Sequence, residues 1–310
     1  MPEISVIVNN CNYGRFLSEA VNSVLAQDYR DFELIVVDDG STDDSRRIME
    51  SVKDERVRCV FKENGGQLSA FNAGFLKSSG EILCFLDADD MYPPGYLRAV
   101  VRMFGACPDC GCLLAKQELF GNASGVRSGG SGRLGCNPFS VAVRHVWIGA
   151  PTSAYSICRR FAEKFLPRFE DERAWKTRAD DLLVWGAELA GAVKYALPAP
   201  PIRYRVHGKN LFFGKKDFTG DELAARRKAA EKFCRDVMAA NGLDYASLLR
   251  RENACGGLSF SSRCLSYLKF CRLDTVTFRE KAACGGILLG GLIFGSRGAA
   301  VADETGETGK

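Results

Sequence analysis

The stretch Ile82-Leu83-Cys84-Phe85-Leu86-Asp87-Ala88-Asp89-Asp90 decides how this chain folds. An unbroken apolar run ends abruptly in three carboxylates. A run this short predicts a strand buried on both faces, as in a parallel sheet covered by helices. The acids then fall at the carboxyl end of that strand, where open α/β sheets bind ligands. Asp87 and Asp89 are two residues apart, so an extended backbone points both to one side. Two converging carboxylates repel unless something positive lies between them. A divalent cation with positions left open for phosphate oxygens suits them. The plainer alternative is a helix cap followed by a solvated acidic turn.

Working outward, residues 4–8, 32–37 and 57–61 read as further strands. Helical spacing falls between them, over residues 16–26, from Thr42 to Val52, and over 68–76 and 95–104. Such alternation predicts a mostly parallel sheet with helices on both faces. The second strand ends in Asp38-Asp39, then Gly40-Ser41-Thr42-Asp43. One of these two acids is expected to cap the turn, the other to accept the imide N–H of a uracil or thymine ring. Asn64-Gly65-Gly66 is a turn where glycine lets the backbone approach a nucleotide closely.

Later strands are expected at residues 154–158, 193–197 and 202–206, with a helix over 182–190 directly after Asp180-Asp181. Residues 121–137 are rich in glycine and serine and read as a long flexible loop of functional character. From about Lys215 the pattern turns helical. Leu223, Ala230, Phe233, Val237 and Met238 make the apolar face of a basic helix. The residues from Ala302 are small and polar and read as disordered.

A net charge of +4 over 310 residues gives no argument for a nucleic-acid partner. The start Met1-Pro2-Glu3 leads straight into an expected strand, so no secretory leader is expected. Thirteen cysteines are then expected as reduced thiols, and the cytoplasm as the compartment. Cys107, Cys110 and Cys112 resemble half of a zinc site, but no second pair follows and small apolar filler is the better reading. The apolar run over residues 282–294 is too short to span a bilayer. Leu265, Leu268 and Phe270 alternate with Arg263, Lys269 and Arg272. These helices are expected as a cap on the α/β domain, with peripheral contact to the inner face of a membrane as the alternative.

Taken in order, several pieces resemble family 2 glycosyltransferases. They are residues 4–13 with Asn9, Cys11 and Asn12, residues 23–27, Asp38 to Asp43, Asn64 to Gly66, residues 69–74, and Asp87 to Asp90. The resemblance implies the GT-A fold, an α/β, Rossmann-like, mostly parallel mixed sheet flanked by helices, with a C-terminal α-helical extension. Residues 1–105 would form the nucleotide-sugar-binding half, 106–213 the acceptor-binding and catalytic half, and 214–310 the helical extension with a disordered tail. It implies nucleotide contacts from Asn9, Cys11, Asp39, Asn64, Gly66 and Asp87, with Cys11 standing where relatives carry tyrosine. Asp87, Asp89 and His207 would hold Mn2+ or Mg2+ on the diphosphate, under a closing loop from Tyr204 to Asn210. Asp181 would be the general base, next to Asp180. The reaction implied is inverting transfer from a nucleotide-sugar donor, a UDP-sugar before a dTDP- or GDP-sugar, to a hydroxyl of a glycan or lipid-linked acceptor, the chemistry of polysaccharide assembly.

The chemistry agrees. A nucleoside diphosphate leaves only if its growing charge is neutralised, and the attacking hydroxyl needs a base. A nucleotidyltransferase on a similar sheet would want several basic residues after the first strand, where only Arg15 stands. A nucleotide-sugar-binding module without turnover would differ chiefly in lacking the base.

Overall fold

The computed structural model describes residues 2–127, 129–210, 213 and 219–294. Its first half repeats strand and helix: β1 (Ile4–Asn10), α1 (Gly14–Leu25), β2 (Phe32–Asp39), α2 (Ser45–Ser51), β3 (Val57–Lys62), α3 (Gln67–Lys77), β4 (Ile82–Asp87) and α4 (Tyr96–Ala106). Then come β5 (Cys110–Leu114), β6 (Gln117–Gly121), β7 (Gly125–Arg127), β8 (Arg133–Gly135), α5 (Pro138–Arg144), β9 (Tyr155–Cys158), α6 (Arg159–Ala162), α7 (Asp180–Ala190), β10 (Val193–Ala196) and β11 (Ile202–Val206). The extension is α8 (Gly220–Ala240), α9 (Tyr245–Cys255), α10 (Phe260–Cys271) and α11 (Phe278–Phe294).

The main sheet has eight strands in the order β3-β2-β1-β4-β9-β5-β10-β8. The first four are parallel, and β9 runs antiparallel between β4 and β5. Hence the sheet is mixed but mostly parallel, as the alternation predicts. The expected β4 is buried along its whole apolar run. Phe71 of α3 packs against Phe85 of β4 with centroids 5.2 Å apart and the rings tilted, so helix and strand share one core. Burying each such ring contributes roughly 2 kcal/mol.

Residues 121–137 do not form the expected flexible loop. They contain β7, antiparallel to β6 in a second sheet (β11-β6-β7), and β8, antiparallel to β10 in the main one. The glycines serve turns and close approach. Gly135 has φ +74°, and a Cβ there would meet Gly256 O at 2.2 Å.

The extension packs as a cap on the second half. Ala230, Phe233, Val237 and Met238 of α8 are buried, whereas Leu223 is exposed, so the apolar face starts later than its pattern suggests. Phe270 of α10 sits fully buried between Phe139 and Tyr245, at centroid distances of 5.4 and 4.8 Å. Cys110 and Cys112 are buried in β5. Among the described residues no helix is long and apolar enough to cross a membrane. The tail from Ala302 lies outside the described residues.

Candidate active site

The parallel register carries polar side chains to one edge of the sheet. Asn9 stands opposite Asp87, Asn10 opposite Asp38, and Asp39 opposite Lys62. A cavity of about 980 Å3 opens there, lined among others by Asn9, Cys11, Asp39, Asn64, Gly66, Asp87 and Asp89. The expected nucleotide residues are therefore neighbours.

The two acids ending β2 divide their roles. Asp38 accepts from Asn10 Nδ2 at 2.8 Å and from the Ser41 N–H at 3.3 Å, which ties the turn. Asp39 is 3% exposed and binds the glycine turn: Gly65 N–H at 2.9 Å, Gly66 N–H at 2.7 Å and Lys62 Nζ at 2.6 Å. Asn64 joins this group through Asp39 O at 2.8 Å and Cys11 Sγ at 3.3 Å. Burial and the nearby Asp39 push the Cys11 thiol up. Asn9, on β1 beside Asp87, lines the same cavity. Its Nδ2 donates to Asp87 Oδ1 at 2.9 Å, and its buried Oδ1 has no protein partner.

Asp87 ends β4, but Asp89 lies in the turn beyond it, closed by Asp90 N–H to Asp87 O at 3.0 Å. The two acids thus converge through a turn and not through the strand pleat. Burial, with Asp89 adding to it, raises Asp87 to about 7. Burial also raises Asp89, against the opposing pull of His207. His207 Nε2 lies 3.0 Å from Asp89 Oδ2, held by Arg15 Nη2 at 3.1 Å from Nδ1 and by the Phe16 ring at 5.0 Å. Asn210 Nδ2 approaches the same Asp89 oxygen at 3.4 Å. Asp90 is spent on structure, accepting from Ser153 Oγ at 2.6 Å and Arg205 N–H at 2.8 Å.

These residues fit a hard divalent cation. Buried carboxylates with raised pKa values crowd one spot, and the donors are oxygens plus one imidazole, which suit Mn2+ or Mg2+. Among the described residues no group of three or more His, Cys, Asp and Glu is arranged to hold a metal on its own. Phosphate oxygens would have to complete such a site.

Asp181, the expected base, is not brought to the cavity. It is 4% exposed, and its two oxygens take Arg178 and Arg226 at 3.1 Å each. The Arg226 guanidinium also lies over the Trp175 ring at 5.0 Å. Asp180 lines the cavity instead. Successive residues on a helix point about 100° apart, so only one of the pair can face the opening. Burial, then the Asp181 charge, raises Asp180 to about 7. The Asp180 charge in turn contributes to the rise of Asp87. The sequence reading does not reach Gln67, and it gives Arg15 and Asn210 no individual role. Arg15 already stands out as the lone cation after β1, and Asn210 as an amide three residues beyond His207 in the expected closing loop.

Residues 5–123 match the family described as Glycosyl transferase family 2. An uncharacterized glycosyltransferase of Nostoc sp. is 34% identical over 236 residues, spanning 74% of this chain and 72% of the relative. The glycosyltransferase GlyG of Streptococcus pneumoniae is 43% identical over 102 residues, 32% of this chain and 34% of GlyG. Among solved structures, TarS of S. aureus in complex with UDP-GlcNAc has a TM-score of 0.58 at 18% identity, over 94% of this chain and 81% of that one. A mannosyltransferase from Pyrobaculum calidifontis in complex with GDP-Man and Mn2+ reaches 0.50 at 17% identity, over 94% and 86%. At these identities the structural likenesses speak for the GT-A fold.

Proposed function

The chain belongs to glycosyltransferase family 2, and on that premise we propose a metal-dependent, inverting transfer from a UDP-sugar to a hydroxyl of a glycan or lipid-linked acceptor. The observation that carries this reading is that Asp87, Asp89 and Asp180 open into one cavity, with the Asp180 charge felt at Asp87. A carboxyl lining the cavity and raised to about 7 by burial suits a general base working near neutral pH. UDP is favoured because TarS binds UDP-GlcNAc, and a divalent cation because the mannosyltransferase complex holds Mn2+.

In this reading Asp39, Asn64, Gly66 and Cys11 receive the base and its ribose, and the unpaired Oδ1 of Asn9 accepts a hydrogen bond from the donor. Asp87, Asp89 and His207 hold Mn2+ or Mg2+. Bound there, the cation would act as a Lewis acid and neutralise charge on the leaving diphosphate. Asp180 takes the proton from the acceptor hydroxyl as its oxygen attacks the anomeric carbon. The bond from that carbon to the phosphate oxygen breaks on the opposite face, so configuration inverts. No second carboxyl is needed to protonate the leaving group, in contrast to glycosidases. Asp181 with its two arginines fixes the start of α7.

Peripheral membrane contact through α10 and α11 belongs to the same proposal. Leu265, Leu268, Phe278 and Leu289 are exposed there, close in sequence to Lys269, Arg272, Arg279 and Lys281. A lipid-linked acceptor would be met at such a surface.

The test is a thermal-shift panel of UDP-, dTDP- and GDP-sugars with and without Mn2+, followed by nucleoside-diphosphate release. A UDP-sugar that raises the midpoint only with metal, by an amount that Asp89→Ala removes, supports the reading. Binding that ignores both metal and Asp89→Ala overturns it.

A further inference from the structure

We propose that Gln67 is a positioning residue that sets the gap between Asp87 at the donor site and Asp180, the candidate base. The inference rests on the glycosyltransfer reading above. Gln67 opens α3 and lines the cavity. Its Oε1 accepts the Ala179 N–H at 2.8 Å, one residue before Asp180. Its Nε2 donates to Thr152 Oγ1 at 3.2 Å, and the next residue, Ser153, accepts the Asp87 N–H on its Oγ at 3.0 Å. One side chain therefore ties the residue that precedes α7 to the Thr152–Ser153 segment that holds the end of β4.

The main chain tightens this clamp. Gln67 N–H donates to Lys176 O at 2.8 Å and Leu68 N–H to Trp175 O at 3.3 Å. The strap 175–179 needs such holding, because Arg178 adopts φ +56°, which a bulky side chain disfavours. Close approach is built in as well. Gly66 has φ +92°, and a Cβ there would stand 2.4 Å from Lys176 Cα. Bonds from Gln67 thus fix the path by which Asp180 enters the cavity. A displacement of about 1 Å at a reacting group can cost on the order of a hundredfold in rate.

Gln67→Met keeps the length and the backbone bonds but removes every side-chain bond. Thr152→Val removes one anchor and touches neither carboxylate. With the donor that the wild type hydrolyses, Gln67→Met should lower kcat about a hundredfold, and Thr152→Val severalfold. The Kd for the nucleoside diphosphate should stay within about threefold, and amide exchange over residues 175–183 should rise. A kcat within about twofold of wild type overturns the proposal, and so do kcat and Kd worsening by one common factor. A wild type that turns over no donor defeats the glycosyltransfer reading instead. In that case unchanged exchange at Ala179 and Asp180 in Gln67→Met still overturns the clamp.

Discussion

Arg226 Nη2 lies 3.1 Å from Asp181 Oδ2, which ties the first helix of the extension to the residue beside the candidate base. The two neighbouring acids should therefore fail differently. Asp180→Asn should lower turnover by about 10^2 to 10^4 while leaving nucleotide binding near wild type and Tm no lower than wild type. Asp181→Asn leaves Arg178 and Arg226 without their carboxylate and should cost roughly 2 kcal/mol of stability. Turnover and urea unfolding of both variants check this. Full transfer by Asp180→Asn would remove it as the base.

The pH profile follows from the same carboxyl. Asp180 acts as a base only when ionised, and its folded pKa stands at about 7 because it is buried beside Asp181. kcat/KM should rise with pH up to a plateau above about 7, its apparent pKa shared among the interacting acids. A flat profile between pH 5.5 and 8 (roughly the range that brackets such a shift) would count against the assignment.

Stability carries a related signature. Asp87 is raised to about 7, so the metal-free folded state binds more protons than the unfolded chain. Its contribution is present at acid pH and is lost as pH rises through about 7. Asp87→Asn removes that charge. Relative to wild type, its metal-free Tm should therefore improve between pH 6 and 8, while its response to Mn2+ disappears. Calorimetry at the two pH values decides, and a Tm difference constant with pH contradicts the prediction.

His207 contributes one ring nitrogen to Asp89 while Arg15 and Phe16 hold the ring. Loss of a supporting metal contact costs roughly 10- to 100-fold in affinity. His207→Ala should weaken Mn2+ binding in the presence of UDP by that factor. Calorimetric titration giving an unchanged Kd would exclude His207 from the metal site.

The strand-and-helix order and the acids at strand ends were legible because their signals are local. An apolar run of five or six residues needs no distant partner to be read. The residues that divide Asp180 from Asp181 were not legible, since Arg226 stands 45 residues away and chooses which acid is drawn inward. The same holds for the clamp from Gln67 to Ala179, across 112 residues. β7 and β8 escaped because each has three residues among glycines, too few for any period to show. His207 was within reach through its basic loop, but its pairing to Asp89 depends on β11 running beside the turn at Asp90.

The membrane face can be weighed before it is tested. Leu265, Leu268 and Arg272 share one side of α10 by their spacing, each leucine being 55% exposed, with Lys269 on the same flank. Burying part of two leucines contributes roughly 1 kcal/mol each, and two basic residues near an anionic surface about 1 kcal/mol each. About 4 kcal/mol corresponds to millimolar affinity. Contact by this face alone should thus be weak, reversible and salt-sensitive. The chain should co-sediment with phosphatidylserine-containing vesicles more than with pure phosphatidylcholine vesicles, and salt or the double change Leu265→Ser with Leu268→Ser should abolish the difference. Equal sedimentation with both vesicle types would leave α10 and α11 as a cap only.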